Sequence, residues 1–152
     1  MMQAELDRQF MQQALEQAQL AALAGEVPVG AVLVREGQVI SKAFNKPITN
    51  HDPSAHAEML ALRQAALAEK NYRLPGTTLY VTLEPCTMCA GAMLHARVER
   101  IVYGAPDPKT GAAGSVVDAF SSKQINHQTS IHGGIMAKEC GQLLKTFFKE
   151  RR

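Results

Sequence analysis

No apolar run in the 152-residue chain approaches the roughly 20 residues that a membrane-spanning helix requires. The composition, 46% hydrophobic and 20% charged, is that of a soluble globular chain. The start, "MMQAELDRQFMQQALEQAQ", lacks the basic opening, apolar centre and small-residue cleavage site of a secretory signal, so a cytoplasmic protein is the expectation. Net charge is only +2; the molecule is no polycation, and any contact with nucleic acid has to come from a local patch. Cysteines number three, and two of them, Cys86 and Cys89, are spaced as metal ligands rather than as a disulfide framework. Cys140 reads as a buried small residue. Internal repeats and low-complexity tracts are missing too. At this length roughly two thirds of the unfolded surface can be buried, which predicts a single domain over residues 1–152.

What is present reads as alternating helices and strands. From Glu5 to Ala24 the apolar positions Leu6, Phe10, Ala14, Ala18 and Ala21 recur at helical spacing, and Gly25 supplies a stop. Two β-rich runs separated by Glu36-Gly37 predict a hairpin from Val29 to Asn45. "KPITNHDPS" reads as a loop, and a second helix runs from Ala55 to Lys70 with Met59, Leu62, Ala65 and Ala66 on its apolar face. A strand from Thr78 to Leu83 leads into "EPCTMCAGAMLHA", where Pro85 suits the first position of a third helix. Another strand, Arg100 to Gly104, precedes "APDPKTGAAGS", a glycine- and proline-rich loop long enough to need a reason for existing. The last helix spans Met136 to Arg152, with Leu143, Leu144, Phe147 and Phe148 inward and Lys145, Lys149, Arg151 and Arg152 outward. This alternation predicts an α/β fold: a three-layer α/β/α sandwich around a five-stranded mixed sheet.

Cys86 and Cys89 face the same way if helical, near a helix start where free N–H groups and the dipole favour thiolates. His56 lies 30 positions before Cys86. A helix of about 15 residues carries the chain about 22 Å away, and a strand of roughly 6 residues brings it most of the way back. The starts of the second and third helices can therefore meet. One imidazole and two thiolates suit zinc, and three protein ligands leave the fourth tetrahedral position for water, the pattern of a catalytic site. Cys140, His95, His127 and His132 lack metal-like spacing; one of them closing the shell would make the site structural. Glu58, two positions after His56, then gains a role. Zinc lowers the pKa of its water toward roughly 7, and a nearby carboxylate can take that proton and pass it to a substrate nitrogen. The bland alternative has Ser54 capping the helix, Glu58 complementing the helix dipole and His56 incidental.

With His56-Ala57-Glu58 and Pro85-Cys86-Thr87-Met88-Cys89 in view, the chain resembles the zinc-dependent cytidine deaminase superfamily, in its tRNA adenosine deaminase branch. The likeness extends over "EVPVGAVLV", "FNKPI", "HDPSAHAEMLALRQ", "NYRLPGTTLYVTLEPCTMCAGAM", "GAPDPKTGAAGS" and "FFKERR". It implies hydrolytic deamination of the wobble adenosine in a tRNA anticodon, an arginine tRNA in particular, to inosine. Water is the co-substrate and one zinc ion belongs to each subunit of a homodimer. His56, Cys86 and Cys89 are then the metal ligands and Glu58 the proton shuttle, with Glu84 as the rival carboxylate. Asn45 is expected to hydrogen-bond the target nucleotide and Asp107 the neighbouring ribose, with a turn asparagine and a plain loop aspartate as the alternatives. Lys109, Phe148, Arg151 and Arg152 complete the implied substrate contacts, surface charge being the other reading of the cations. The third helix, "MCAGAMLHARV", is the candidate dimer face, and "VVDAFSSKQINHQTSIHGG" maps least securely. The rival functions are a free-base or nucleotide deaminase of the same fold acting on guanine or cytosine, a non-enzymatic zinc-binding RNA protein and a structural zinc module.

Overall fold

The computed structural model describes residues 2–122 and 127–151. In chain order the elements are α1 (Met2–Leu23), β1 (Gly30–Arg35), β2 (Gln38–Phe44), α2 (Ala57–Glu69), β3 (Thr77–Leu83), α3 (Thr87–His95), β4 (Arg100–Ala105), β5 (Ser130–His132) and α4 (Ala137–Glu150). The five strands form one sheet in the order β2-β1-β3-β4-β5. β1 pairs antiparallel with β2 and with β3, whereas β3–β4 and β4–β5 are parallel, so the sheet is mixed as expected. Glu36 and Gly37 both take positive φ, at 50° and 75°, and thereby turn the hairpin with the twist its strands require.

Two apolar layers sandwich the sheet. Side chains of α2 and α3, among them Ala57, Ala61, Leu62, Ala65, Ala90 and Met93, pack on Leu33, Leu79, Val81 and Ile101. On the opposite face α1 and α4 contribute Phe10, Met11, Ala14, Leu15 and Cys140 against Val32, Tyr80 and Val102. The alternation of Val32 with Leu33, and of Tyr80 with Leu79 and Val81, between the two layers is the period of two that a strand buried on both faces must have. At the start of β1 the sheet meets α1 backbone to backbone: a Cβ on Gly30 would lie 2.1 Å from the Ala14 carbonyl oxygen, so only glycine fits. No helix among the described residues is long and apolar enough to cross a membrane.

Three expectations need correction. Leu6 is exposed, and the inward position on that turn of α1 belongs to Asp7. Its burial is made tolerable by Arg100, whose Nη1 and Nη2 donate to Oδ1 and Oδ2 at 2.8 and 2.6 Å, and by the Tyr80 hydroxyl at 2.7 Å. Phe148 is 47% exposed on the outer side of α4, because adjacent residues on a helix stand about 100° apart and Phe147 takes the buried position. Pro85 precedes the helix rather than opening it, since Cys86 is the N-cap of α3.

Candidate active site

Both metal-type ligands outside the helices proper occupy N-cap positions. His56 caps α2 and Cys86 caps α3, each with extended backbone, and neither side chain makes a capping hydrogen bond. N-cap positions normally hold Ser, Thr, Asp or Asn, whose side chains turn back onto the first free N–H groups. Histidine and cysteine leave those donors to others and keep their own side chains available. For α2 the substitute is Asn45, just past β2: its Oδ1 accepts the Ala57 N–H at 2.8 Å. Ser54 takes no part in this cap; its amide and hydroxyl both donate to Asp52 Oδ1.

The two helix starts meet beyond the carboxyl end of β3. His56 Nδ1 lies 3.6 Å from Cys86 Sγ and 3.5 Å from Cys89 Sγ, and the three donor atoms all fall within 4.8 Å of one another. A tetrahedral zinc ion with Zn–S near 2.3 Å and Zn–N of about 2.0–2.1 Å requires an N···S edge of about 3.5–3.6 Å. The donor set and its spacing fit that ion. Of the two sulfurs, Cys86 is the one already poised to be a thiolate. The Cys86 thiol is pulled down to about 4, first by the hydrogen bond from Cys89 and, against the opposing effect of burial, by His56. That same hydrogen bond, together with burial, pushes Cys89 up, and the bond to Cys86 holds His56 above the ordinary imidazole value. Among the described residues no other group of His, Cys, Asp or Glu is gathered in this way. His127 instead pairs with the Val98 carbonyl, and Cys140 is buried under β4.

Glu58 sits in the first turn of α2, 4% exposed. Burial pushes its carboxyl up to about 7, with the hydrogen bond to its own backbone and the nearby His56 opposing. A carboxyl that titrates near neutrality is matched to taking and returning a proton at physiological pH. Glu84 is different. Its carboxylate accepts N–H bonds from Asp107, Ala113 and Ser115 at 3.0, 2.9 and 3.1 Å, and also the Ser115 hydroxyl. Burial alone would push it up, but Ser115 and the backbone donors outweigh that and hold it below the ordinary carboxylate range.

Asp107 is committed within its own loop, Oδ1 accepting the amides of Lys109 and Thr110 and Oδ2 the Thr110 hydroxyl. Lys109 is exposed beside it. Near the end of α4 the Arg151 guanidinium stacks on Phe147, 3.7 Å from the ring centroid, and Phe148 meets the same ring edge-on. Arg152 lies outside the described residues. Sequence reasoning missed what Glu26 does: 1% exposed, it accepts the Ile48 and Thr49 amides and the Thr49 hydroxyl, and so pins the loop that leads from Asn45 to His56. Its only signal was an acidic residue in a run otherwise bound for the core.

Comparison with known proteins agrees with this geometry. The model of the cytidine and deoxycytidylate deaminase zinc-binding region matches residues 4–105. The tRNA-specific adenosine deaminase of Haemophilus influenzae is 52% identical over 149 residues, 97% of this chain and 86% of that one. A solved structure from studies of A-to-I editing by tRNA:A34 deaminases at the wobble position of transfer RNA superimposes with a TM-score of 0.86 at 46% identity, covering 90% of this chain and 99% of that chain. Guanine deaminase from Bacillus subtilis is a more distant neighbour, with a TM-score of 0.62 and 38% identity over 64% of this chain and 63% of its own. The chain therefore belongs to the cytidine and deoxycytidylate deaminase zinc-binding family, alongside the tRNA-specific adenosine deaminases.

Proposed function

We propose that the chain converts the wobble adenosine of a tRNA anticodon loop, an arginine tRNA in the first place, to inosine. It does so in the cytoplasm as a homodimer with one zinc ion in each subunit. The observation that carries this is the buried Glu58 carboxyl beside a His56–Cys86–Cys89 cluster of zinc-like spacing, in a chain that matches the tRNA deaminases along almost its whole length. His56, Cys86 and Cys89 would hold the ion. Zinc, when bound there, supplies a Lewis acid that lowers the pKa of water toward about 7.

The protein's own residues account for the rest. Glu58 accepts a proton as water attacks C6 and delivers it to N1, then passes a proton to the exocyclic nitrogen, so that adenosine and water give inosine and ammonia. Asn45, its Oδ1 already held by Ala57, keeps its NH2 group to donate to the target nucleotide. Asp107 faces the neighbouring ribose, where a 2′-hydroxyl would mark the substrate as RNA. Lys109, Phe148, Arg151 and Arg152 supply charge and one exposed ring for the backbone and bases around it. A base in a duplex cannot reach a buried carboxyl, whereas an anticodon loop can splay one out for a small unstacking cost.

The second reading, a deaminase of free guanine or cytosine, uses the same cluster and draws on the likeness to guanine deaminase. The test is incubation of the zinc-loaded protein with an anticodon stem-loop carrying a wobble adenosine and, separately, with adenosine, guanine and cytosine. Inosine in the stem-loop is the expected product. Ammonia released from a free base alone would replace the first reading with the second.

A further inference from the structure

We propose that Glu84 is a positioning residue for this reaction, fixing the 107–115 loop against the start of α3 and so shaping the wall of the substrate pocket; the claim about the pocket rests on the function proposed above. The two oxygens divide the work evenly. Oε1 accepts the Asp107 N–H at 3.0 Å and the Ser115 hydroxyl, and Oε2 accepts the Ala113 and Ser115 amides at 2.9 and 3.1 Å. One buried side chain thus gathers both ends of the loop. The loop backbone is also folded down onto it, because a Cβ on Gly111 would lie 2.5 Å from the Glu84 carboxyl carbon and from Oε2. A further bond runs from the Ala112 N–H to the Pro85 carbonyl at 2.8 Å, in the residue between Glu84 and the ligand Cys86. Loop and metal ligand are therefore referenced to the same three residues, and any displacement of one is felt by the other. Nothing in this requires Glu84 to touch the substrate, and with four donors already on it the carboxylate has no free lone pair aimed at a proton path.

Glutamine is a poor stand-in. With its NH2 in the place of Oε2 it meets the Ala113 and Ser115 amides, and in the place of Oε1 it meets the Asp107 amide, although the Ser115 hydroxyl can turn to accept from it. Zinc-loaded wild type, Glu84→Gln and Ser115→Ala are to be compared by metal content, by hydrogen exchange and by steady-state deamination of the anticodon stem-loop. In Glu84→Gln, amide exchange over 107–115 is expected to accelerate by about tenfold or more while β1 and β3 are unchanged, with a smaller acceleration in Ser115→Ala. Zinc stays bound in both. KM for the stem-loop rises by about tenfold in Glu84→Gln, and kcat falls by less than about threefold. Unaltered exchange in the loop overturns the proposal, as does a fall in kcat at constant KM, which would put Glu84 in the proton path. Should Glu84→Gln not fold, Ser115→Ala decides alone, and wild-type exchange and KM in that variant count against the idea. The exchange measurement uses no RNA, so failure of wild type to act on the stem-loop sinks the proposed function while the loop claim is still judged.

Discussion

Glu58 and Glu84 are both buried glutamates two positions from a metal-type ligand, at 4% and 2% exposure, yet their chemistry is opposite. Burial moves both upward; what differs is the number of donors. Glu84 receives four hydrogen bonds and stays ionised, and its capacity to accept a proton is spent on holding a loop. Glu58 lies against sulfur and imidazole with few donors of its own, and desolvation carries it to about 7. Asp7 and Glu26 fall in with Glu84: both are buried, both collect three or more donors, and both sit below their ordinary values because those bonds outweigh the desolvation that pushes them up. The lesson is that burial alone does not make a carboxylate catalytic. A buried carboxylate with few donors, beside a cluster of metal-type ligands, is the informative one.

The most direct way to break the contrast is Glu58→Gln. If this carboxyl is the proton carrier, inosine formation is expected to fall by about 10³- to 10⁴-fold while the zinc content of the purified protein is unchanged. Turnover within about tenfold of wild type, measured by inosine release at pH 7, would move the role to another group.

The gathering of His56, Cys86 and Cys89 was legible in the sequence because the three-residue spacing on a helix and the span of one helix plus one strand are set by backbone geometry. His56, Cys86 and Cys89 come together as those lengths require. The sheet was legible in number and type, but its fifth strand was not located: Ser130–His132 has three residues and is held at the edge by parallel pairing to β4, without an alternating pattern to announce it. The support around the site was illegible for a different reason. Glu84 bonds to groups 23 to 31 positions away, most of them backbone amides that every residue carries, and Asn45 caps a helix 12 positions on. Side-chain identity cannot reveal a partner that is main chain. Leu6 and Phe148 misled in the opposite direction, since apolar character promised burial that the helix phase gave to Asp7 and Phe147.

Asp7 tests the saturated class by stability rather than turnover. Replacing it with Asn leaves Arg100 facing neutral oxygen and nitrogen, and breaking such a pair costs about 3–5 kcal/mol when fully buried. Arg100 keeps 20% of its side-chain surface exposed, so the low end, about 3 kcal/mol, is expected in urea unfolding at pH 7. The pH dependence has a definite sign. The folded-state pKa of Asp7 lies below its ordinary value of 3.8, so the folded protein binds fewer protons here than the unfolded chain. The stabilisation is therefore complete above pH 3.8 and is lost as pH falls through that value toward the folded one. Asp7→Asn should flatten this acid limb; an unchanged limb would place the acid sensitivity elsewhere.

Glu26 offers the finest discrimination, because its donors are divided unevenly. Oε2 takes the Thr49 amide at 2.7 Å and the Thr49 hydroxyl at 2.6 Å, whereas Oε1 takes only the Ile48 amide at 3.2 Å. A glutamine here can aim its oxygen at Thr49 and give up the 3.2 Å bond alone, whereas the best-turned glutamine at position 84 gives up the 3.0 Å bond from the Asp107 amide. Glu26→Gln should cost about 1 kcal/mol in urea unfolding, and Glu26→Ala, which strands both amides, about 2–3 kcal/mol. At position 84 Gln should likewise be milder than Ala, which strands three amides. If Gln and Ala are equally damaging at position 26, it is the charge of the carboxylate and not the number of acceptors that holds these loops, and the distinction between Glu58 and the saturated carboxylates would have to be redrawn in terms of net field instead of counted bonds.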